Sequence, residues 1–218
     1  YIAYTPQAIR TDEHPPFTMP FGRTRSVNRG LWRASSSLFG ATLGGPINRK
    51  RRELGLESVM DWYQYLFLSR RMLIAADPEL APMPKNVSLP FAAFGSLQLR
   101  DERPLSPVVE QFLSAGPAPV YVGFGSMRDR SPEATTALFV AAARAARMRL
   151  VLSAGWARYG GADVGEARSL SDDVLVVGPS SHTLLFPRVR AVVHHGGAGT
   201  TSAALRADRR SSAASGRR

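Results

Sequence analysis

The sequence predicts an α/β protein whose second half is a doubly wound, mostly parallel sheet, and three observations carry that expectation. Short runs rich in β-branched residues alternate with helical stretches between Pro119 and Arg206. The runs are continuously apolar rather than alternating, as strands buried on both faces must be. Each gives way to a glycine-bearing turn, and in such folds ligands bind where strands end at their carboxyl side.

Taken in order, residues 1–30 hold Pro6, Pro15, Pro16, Pro20 and Gly22 and predict an irregular segment. Residues 27–45 and 47–74 read as largely helical. Leu31, Trp32, Leu38 and Phe39 recur at helical offsets in the first, and Trp62, Tyr65, Leu66 and Leu68 in the second. From Ala75 to Pro107 the composition turns proline-rich and charged, which marks a linker, with the domain boundary near residues 97–107. Beyond it Pro119–Gly125 reads as a buried strand. Ser131 is placed to cap a helix, Pro132 suits its first position, Glu133 complements its positive end, and Ala134–Met148 continues it to Arg144 and Arg147. Arg149–Gly155 and Asp173–Gly178 follow as strands, Thr183–Phe186 as a helical turn and Ala191–His195 as a strand. Gly196–Thr201 is then a loop opening the helix Ser202–Arg206. The expected organisation is a partial domain over 1–96, a linker over 97–107, a partial domain over 108–207 and a disordered basic tail over 208–218.

Composition narrows the function classes. The 218 residues include 28 Lys and Arg against 17 Asp and Glu, a net charge of +11, and no cysteine. There is accordingly no disulfide framework, thiolate metal site or cysteine nucleophile, and a reducing compartment is permitted. Apolar runs fall short of the roughly 20 residues of a membrane helix, and the N-terminus has no basic-then-apolar signal pattern. The expectation is a soluble, cytoplasmic protein, with peripheral membrane contact compatible. The charge is uneven: residues 206–218 carry five basic side chains and one acidic. That tail has no apolar residue larger than alanine. A second basic cluster, Arg49 to Arg52, reads as a solvated helix face, and no aromatic residues interleave with it as a nucleic-acid stacking platform requires.

Four segments could carry chemistry, all where a strand gives way to loop. In AVVHHGGAGTTSAAL, residues 191–205, glycines let the main chain approach an anion, helix-end amides point at it, and a histidine can donate to a phosphate oxygen. His194 and His195 must face opposite sides of the strand, so one is a ligand residue and the other packing. The alternatives are a structural glycine turn with core histidines, or a metal site, which lacks a third ligand nearby. In GFGSM, residues 123–127, Ser126 can offer a hydroxyl and an amide to phosphate or sugar. Trp156 of SAGW can stack on a base or pack, and His182 of SSHTLLF can touch a ligand or cap its turn.

The combination PVYVGFGSM, VLSAGW and HTLLFPRVRAVVHHGGAGTTSAALRA resembles the carboxyl-terminal, donor-binding domain of nucleotide-sugar glycosyltransferases with the GT-B fold. The sterol 3-beta-glucosyltransferase-like and the glycopeptide and macrolide enzymes are the members it is most similar to. The resemblance is strong over 116–207 and weaker over 1–96. It implies the second part of an acceptor domain joined to the first part of a Rossmann-like donor domain. It also implies that His194 donates to the donor diphosphate, with Gly196, Gly197, Ala198, Gly199 and Thr200 cradling it and Ser126 approaching it. Trp156 would lie beside the nucleoside, and Ser180, Ser181 and His182 occupy the segment whose main chain reads the base. There the family pattern VPHDWLF is replaced by SSHTLLF.

The implied reaction needs no metal or cofactor. It transfers a hexose from a nucleotide diphosphate sugar, UDP-glucose being the expected co-substrate, to a hydroxyl of a lipophilic acceptor such as a sterol or natural product. The catalytic base is expected upstream of residue 1, and the loss of apolar pattern after Ala207 suggests a truncated or frame-shifted product, inactive as a fragment. The competing readings are a nucleotide-binding module without catalysis and a basic nucleic-acid-binding protein, the resemblance implying no nucleic-acid partner.

Overall fold

The structure, a computed structural model, describes residues 2–3, 12–16, 24–61, 65, 72–78, 80, 91–97, 101–161, 165, 167–208 and 210–213. The chain forms two compact units, Tyr1–Leu97 and Gln98–Arg218.

The first unit contains a parallel sheet of β1 (Ile2–Ala3), β2 (Met72–Ala75) and β3 (Phe91–Phe94), in that order. Between β1 and β2 runs one helical path, α1 (Arg25–Phe39) and α2 (Gly45–Glu53), joined by a π turn at Gly40–Gly44. The reading of 47–74 as one helix is corrected. Helix α2 stops at Glu53, where the Leu54 and Leu56 amides both donate to the Arg51 carbonyl at 3.0 and 2.9 Å and Gly55 turns left-handed at φ 70°. Trp62, Leu66 and Leu68 lie outside the described residues, and Met72–Ala75 is strand. Strand β3 falls within the stretch expected to be linker; four residues, FAAF, are too short a run to stand out beside so many prolines. Helix α1 is held by polar anchors as well as packing. The buried Trp32 donates its Nε1–H to the His14 carbonyl at 2.9 Å, and Asn28 donates to the Asp12 carbonyl at 3.0 Å. The basic run at the end of α2 engages its own chain, with Lys50 on Glu53, Arg51 Nε on the Glu57 carbonyl and Arg52 on Ser58.

The second unit is a six-stranded sheet in the order β6-β7-β5-β4-β8-β9. These are β4 (Val120–Gly123), β5 (Leu150–Ser153), β6 (Arg168–Ser171), β7 (Val174–Val177), β8 (Ala191–His194) and β9 (Arg210–Ala213). All neighbours are parallel except β6, which runs antiparallel to β7. The helices are α3 (Pro107–Ser114), α4 (Pro132–Ala145), the short α5 (His182–Leu185) and α6 (Ala198–Arg206). Successive strand residues feed opposite faces. Tyr121, Val151, Leu175 and Val192 pack with Phe112, Phe186 and Ala204, while Val122, Leu150, Leu152 and Val174 pack with Tyr159 and Phe139. Each full burial of such a side chain is worth roughly 1.5–3 kcal/mol, which is why these runs show no polar alternation.

Four local expectations differ from what is seen. Ser131 precedes α4, but its side chain makes no cap; its amide is taken instead by the Asp129 carboxylate at 2.8 Å. Helices α3 and strand β6 lie where no element was expected, since α3 sits inside the proline-rich approach and β6 reads RSLS. Helix α6 begins at Ala198 rather than Ser202, because the Gly197 carbonyl accepts both the Thr201 amide and its hydroxyl. In the tail expected to be disordered, the main chain of Arg210–Ala213 pairs in parallel with Ala191–His194. Such pairing is made by backbone groups at the side of β8 left open by β4 and needs no apolar side chains; residues 209 and 214–218 lie outside the described set.

Candidate functional site

Strands β5, β4 and β8 are neighbours, so the three glycine-bearing loops that leave their carboxyl ends meet. After β4, Phe124 packs between Phe139, stacked at 5.6 Å, and Tyr159, edge-on at 6.3 Å. The Met127 amide closes a turn on the Phe124 carbonyl at 3.1 Å, which lifts Ser126 to an exposed tip. Gly125 is left-handed at φ 57°, and its carbonyl accepts the Trp156 amide at 2.9 Å. Gly155, also left-handed at φ 54°, comes so close that a Cβ on it would sit 2.6 Å from the Gly125 oxygen. The motifs GFGSM and SAGW are thus joined through main chain. The Tyr159 hydroxyl donates to Asp129 at 3.1 Å and holds the far end of the same loop; burial and that carboxylate push the phenol up to about 12.

On the β8 side the two histidines sit in different surroundings, His194 buried and His195, just past the strand, partly exposed. His194 is 1% exposed, and its Nδ1 accepts the Gly196 amide at 3.0 Å, which leaves the proton of the neutral ring on Nε2. Desolvation, then the neighbouring His195, hold its pKa below the ordinary histidine value, so the ring is neutral. Gly196 is left-handed at φ 87° and turns the chain into α6, where Ala198, Gly199 and Thr200 present the amides of the first helical turn. Those amides and the helix dipole favour an anion at this point. His195 lies against Gly125 and Gly197.

The fourth segment has a different geometry. Ser181 is buried and is itself the cap of α5, accepting the Leu184 amide and donating to the Asp101 carbonyl. His182 stacks on Phe186 at 4.3 Å and meets the Tyr121 ring edge-on, and burial lowers its pKa. Both side chains are therefore occupied in packing. Ser180 and Ser181 line a cavity of about 420 Å³ together with Arg103, Leu105, Ser106 and Pro179. Arg103 is held at its rim by two bonds to Asp101, whose carboxyl the guanidinium keeps down at about 2. Trp156, 70% exposed, is at the glycine junction and not among the residues lining this cavity.

The structure accordingly brings Ser126, Trp156, His194, Gly196, Gly197, Ala198, Gly199 and Thr200 to one end of the sheet, and sets Ser180, Ser181 and His182 around α5. Sequence reasoning missed Arg103 and Ser106, for which a proline-rich approach gives no signal, and the contact of Gly155 with Gly125, for which the glycine in SAGW was one. Among the described residues no group of three metal-ligating side chains occurs, and no helix is long and apolar enough to cross a membrane.

No family model matches the chain. Individual relatives do. Vancomycin aglycone glucosyltransferase of Amycolatopsis orientalis is 36% identical over 211 residues, 95% of this chain and 49% of the relative. The dTDP-epi-vancosaminyltransferase of the same organism is 41% identical over 164 residues, covering 75% of this chain and 39% of the relative. Sterol 3-beta-glucosyltransferase UGT80A2 of Arabidopsis thaliana is 38% identical over 132 residues, covering 60% and 20%. Among solved structures, the glycotransferase of kitacinnamycin superposes with a TM-score of 0.58 at 20% identity, over 88% of this chain and 49% of that one, a likeness of fold. The chain spans about half the length of the glycopeptide relatives it matches. Its strand order, its glycine-lined loops and these relatives together make the chain similar to the GT-B glycosyltransferases of the glycopeptide and sterol type.

Proposed function

We propose that this chain carries the donor-binding part, and a portion of the acceptor-binding part, of an enzyme that transfers a hexose from a nucleotide diphosphate sugar to a hydroxyl of a lipophilic acceptor, a sterol or a natural product. Residues 1–96 are assigned to the acceptor domain and 108–207 to the donor domain, in a cytoplasmic protein. The observation that carries the reading is the convergence of the β4 and β8 loops on the open start of α6. Charge develops on the diphosphate as the anomeric bond breaks, and preorganised amides stabilise it at no reorganisation cost. Those of Ala198, Gly199 and Thr200 supply this, Ser126 meets the same group from the β4 turn, and His194 donates from Nε2. The nucleoside lies along Trp156 and the main chain of Ser180–His182. The base that deprotonates the acceptor is assigned to no residue of this sequence, and the chain alone binds nucleotide weakly without turning over.

Calorimetry with UDP, dTDP and uridine tests the reading, beside a sugar-transfer assay with UDP-glucose. Diphosphate-dependent binding that is weakened about tenfold or more in His194→Ala is expected, the size of one charge-assisted hydrogen bond. Transfer by the 218-residue chain would overturn the claim that it is inactive. Equal affinity for UDP and uridine would overturn the diphosphate site. A preference for dTDP would match the name of the epi-vancosaminyltransferase relative and replace UDP as the donor nucleotide.

A further inference from the structure

His195 has no part in the donor reading, yet its ring lies against both the β4 turn and the chain that opens α6. Its ring is bordered on two sides by glycine. A Cβ on Gly197 would sit 2.6 Å from Nε2 and 3.1 Å from Cε1, and one on Gly125 would sit 3.2 Å from Cε1 and 3.9 Å from Nδ1. Gly197 has an ordinary φ of −59°, so its backbone does not demand glycine there; a methyl at this position instead meets the end of the His195 ring, which must shift to admit it. Nδ1 is buried and has no hydrogen-bond partner among the described residues. Gly125 is pinned from the opposite side by the Trp156 amide and by Gly155.

We propose that His195 is a positioning residue: its imidazole is the spacer that sets the gap between the β4 turn bearing Ser126 and the amides that open α6, so that one diphosphate engages both. The inference rests on the donor reading for its ligand, but the contact itself is a property of the chain. On one side of the Gly125 turn stands β5, which fixes it through main chain. On the other stands His195, the residue after β8, whose ring supplies the three atoms nearest a Cβ on Gly125. Removing the ring lets the Ser126 end of the turn move toward α6 and mismatches the two sets of phosphate contacts, while the main-chain junction of Gly125 with Trp156 holds and the nucleoside contacts at Trp156 and Ser180 stay in place.

The test is a double-mutant cycle of His195→Ala and Gly197→Ala in the full 218-residue chain, read by calorimetry with UDP and with uridine. Each single change is expected to weaken UDP by about tenfold, one by removing the spacer and the other by driving a methyl into it, with uridine unchanged. The double variant is expected to be no weaker than either single one, since the methyl then occupies space the ring has left. Effects that multiply to about a hundredfold, or a parallel loss of uridine affinity, would overturn the proposal. Should the unmutated chain bind no UDP, the donor reading fails, and the same four chains still decide the contact by urea unfolding. Non-additive midpoints uphold the ring against Gly197, and additive ones sink it.

Discussion

The two units spend their buried groups differently. In the second, both faces of the sheet are covered by apolar side chains drawn from β4, β5, β7 and β8, and the polar groups gather at the carboxyl ends. In the first, the described core is small, with Trp32, Ile74, Ala75 and Ala76, and its helix is fastened by Trp32 and Asn28 bonding to carbonyls of residues 14 and 12. Leu38, Leu43, Leu54, Leu56 and Met60 of the first unit are exposed. A sheet buried on both faces writes its role into contiguous residues. A helix fixed by two hydrogen bonds across 16 and 18 positions does not.

The contrast breaks most readily at the largest side chains. Trp32→Ala is expected to cost about 3–5 kcal/mol and Leu175→Ala about 2–5 kcal/mol, since each leaves a cavity as well as losing its transfer energy. If the units are independent, urea unfolding followed by the fluorescence of Trp156 moves only with Leu175→Ala. A Trp156 transition shifted by Trp32→Ala as well would show one cooperative block and end the comparison.

Next in size is Gly155→Ala. The left-handed backbone and the 2.6 Å approach to the Gly125 oxygen make a methyl there cost about 1–3 kcal/mol. Its midpoint should fall, with UDP affinity following, because the turn carrying Ser126 moves.

A smaller effect separates the units by pH. His182 and His194, both in the second, have pKa values lowered chiefly by burial. The unfolded chain then binds protons at a higher pH than the folded one, so the stability of the second unit is complete above about pH 6.5 and falls as pH drops through the depressed folded values. Melting temperatures taken from pH 7.5 to 5.5 should decline, and His182→Gln should flatten part of the slope. A rise over that range would contradict the buried, neutral rings. Least of all is Gly199→Ala, where a Cβ meets nothing within 4 Å. Stability should stay level or rise by up to about 1 kcal/mol, as helix propensity favours alanine. A clear loss would mean that a neighbour crowds this position.

Legibility in the sequence follows the same division. PVYVGFG, RLVLSAG, DVLVVG and AVVHH read as strands because burial on both faces leaves an unbroken apolar run, and each is found within a residue or two of its expected ends. RSLS, at the sheet margin and antiparallel, carries no such run. Its role depends on β7 beside it. In the first unit the end of α2 turned on Gly55 adopting φ 70°, one glycine among many, and the helical spacing of residues beyond it concealed a strand at Met72–Ala75. At the site, the glycines and a histidine at the strand end read as a candidate anion cradle because that chemistry needs those residue types together, and only the family resemblance singled out His194. Which glycine touches which loop was not legible, since Gly125, Gly155 and Gly197 come together only when β5, β4 and β8 are set side by side.

The junction of Gly125 with Gly155 and Trp156 is made by an oxygen, an amide and two absent side chains. A contact of that kind does not use the side chains of Ser126 or Trp156. Ser126 at its tip and the Trp156 ring beside it can be exchanged without disturbing the frame that presents them. On the donor-binding reading proposed above, these two positions are where a library of substitutions aimed at the sugar nucleotide costs the scaffold least, and the two glycines are where it must not reach.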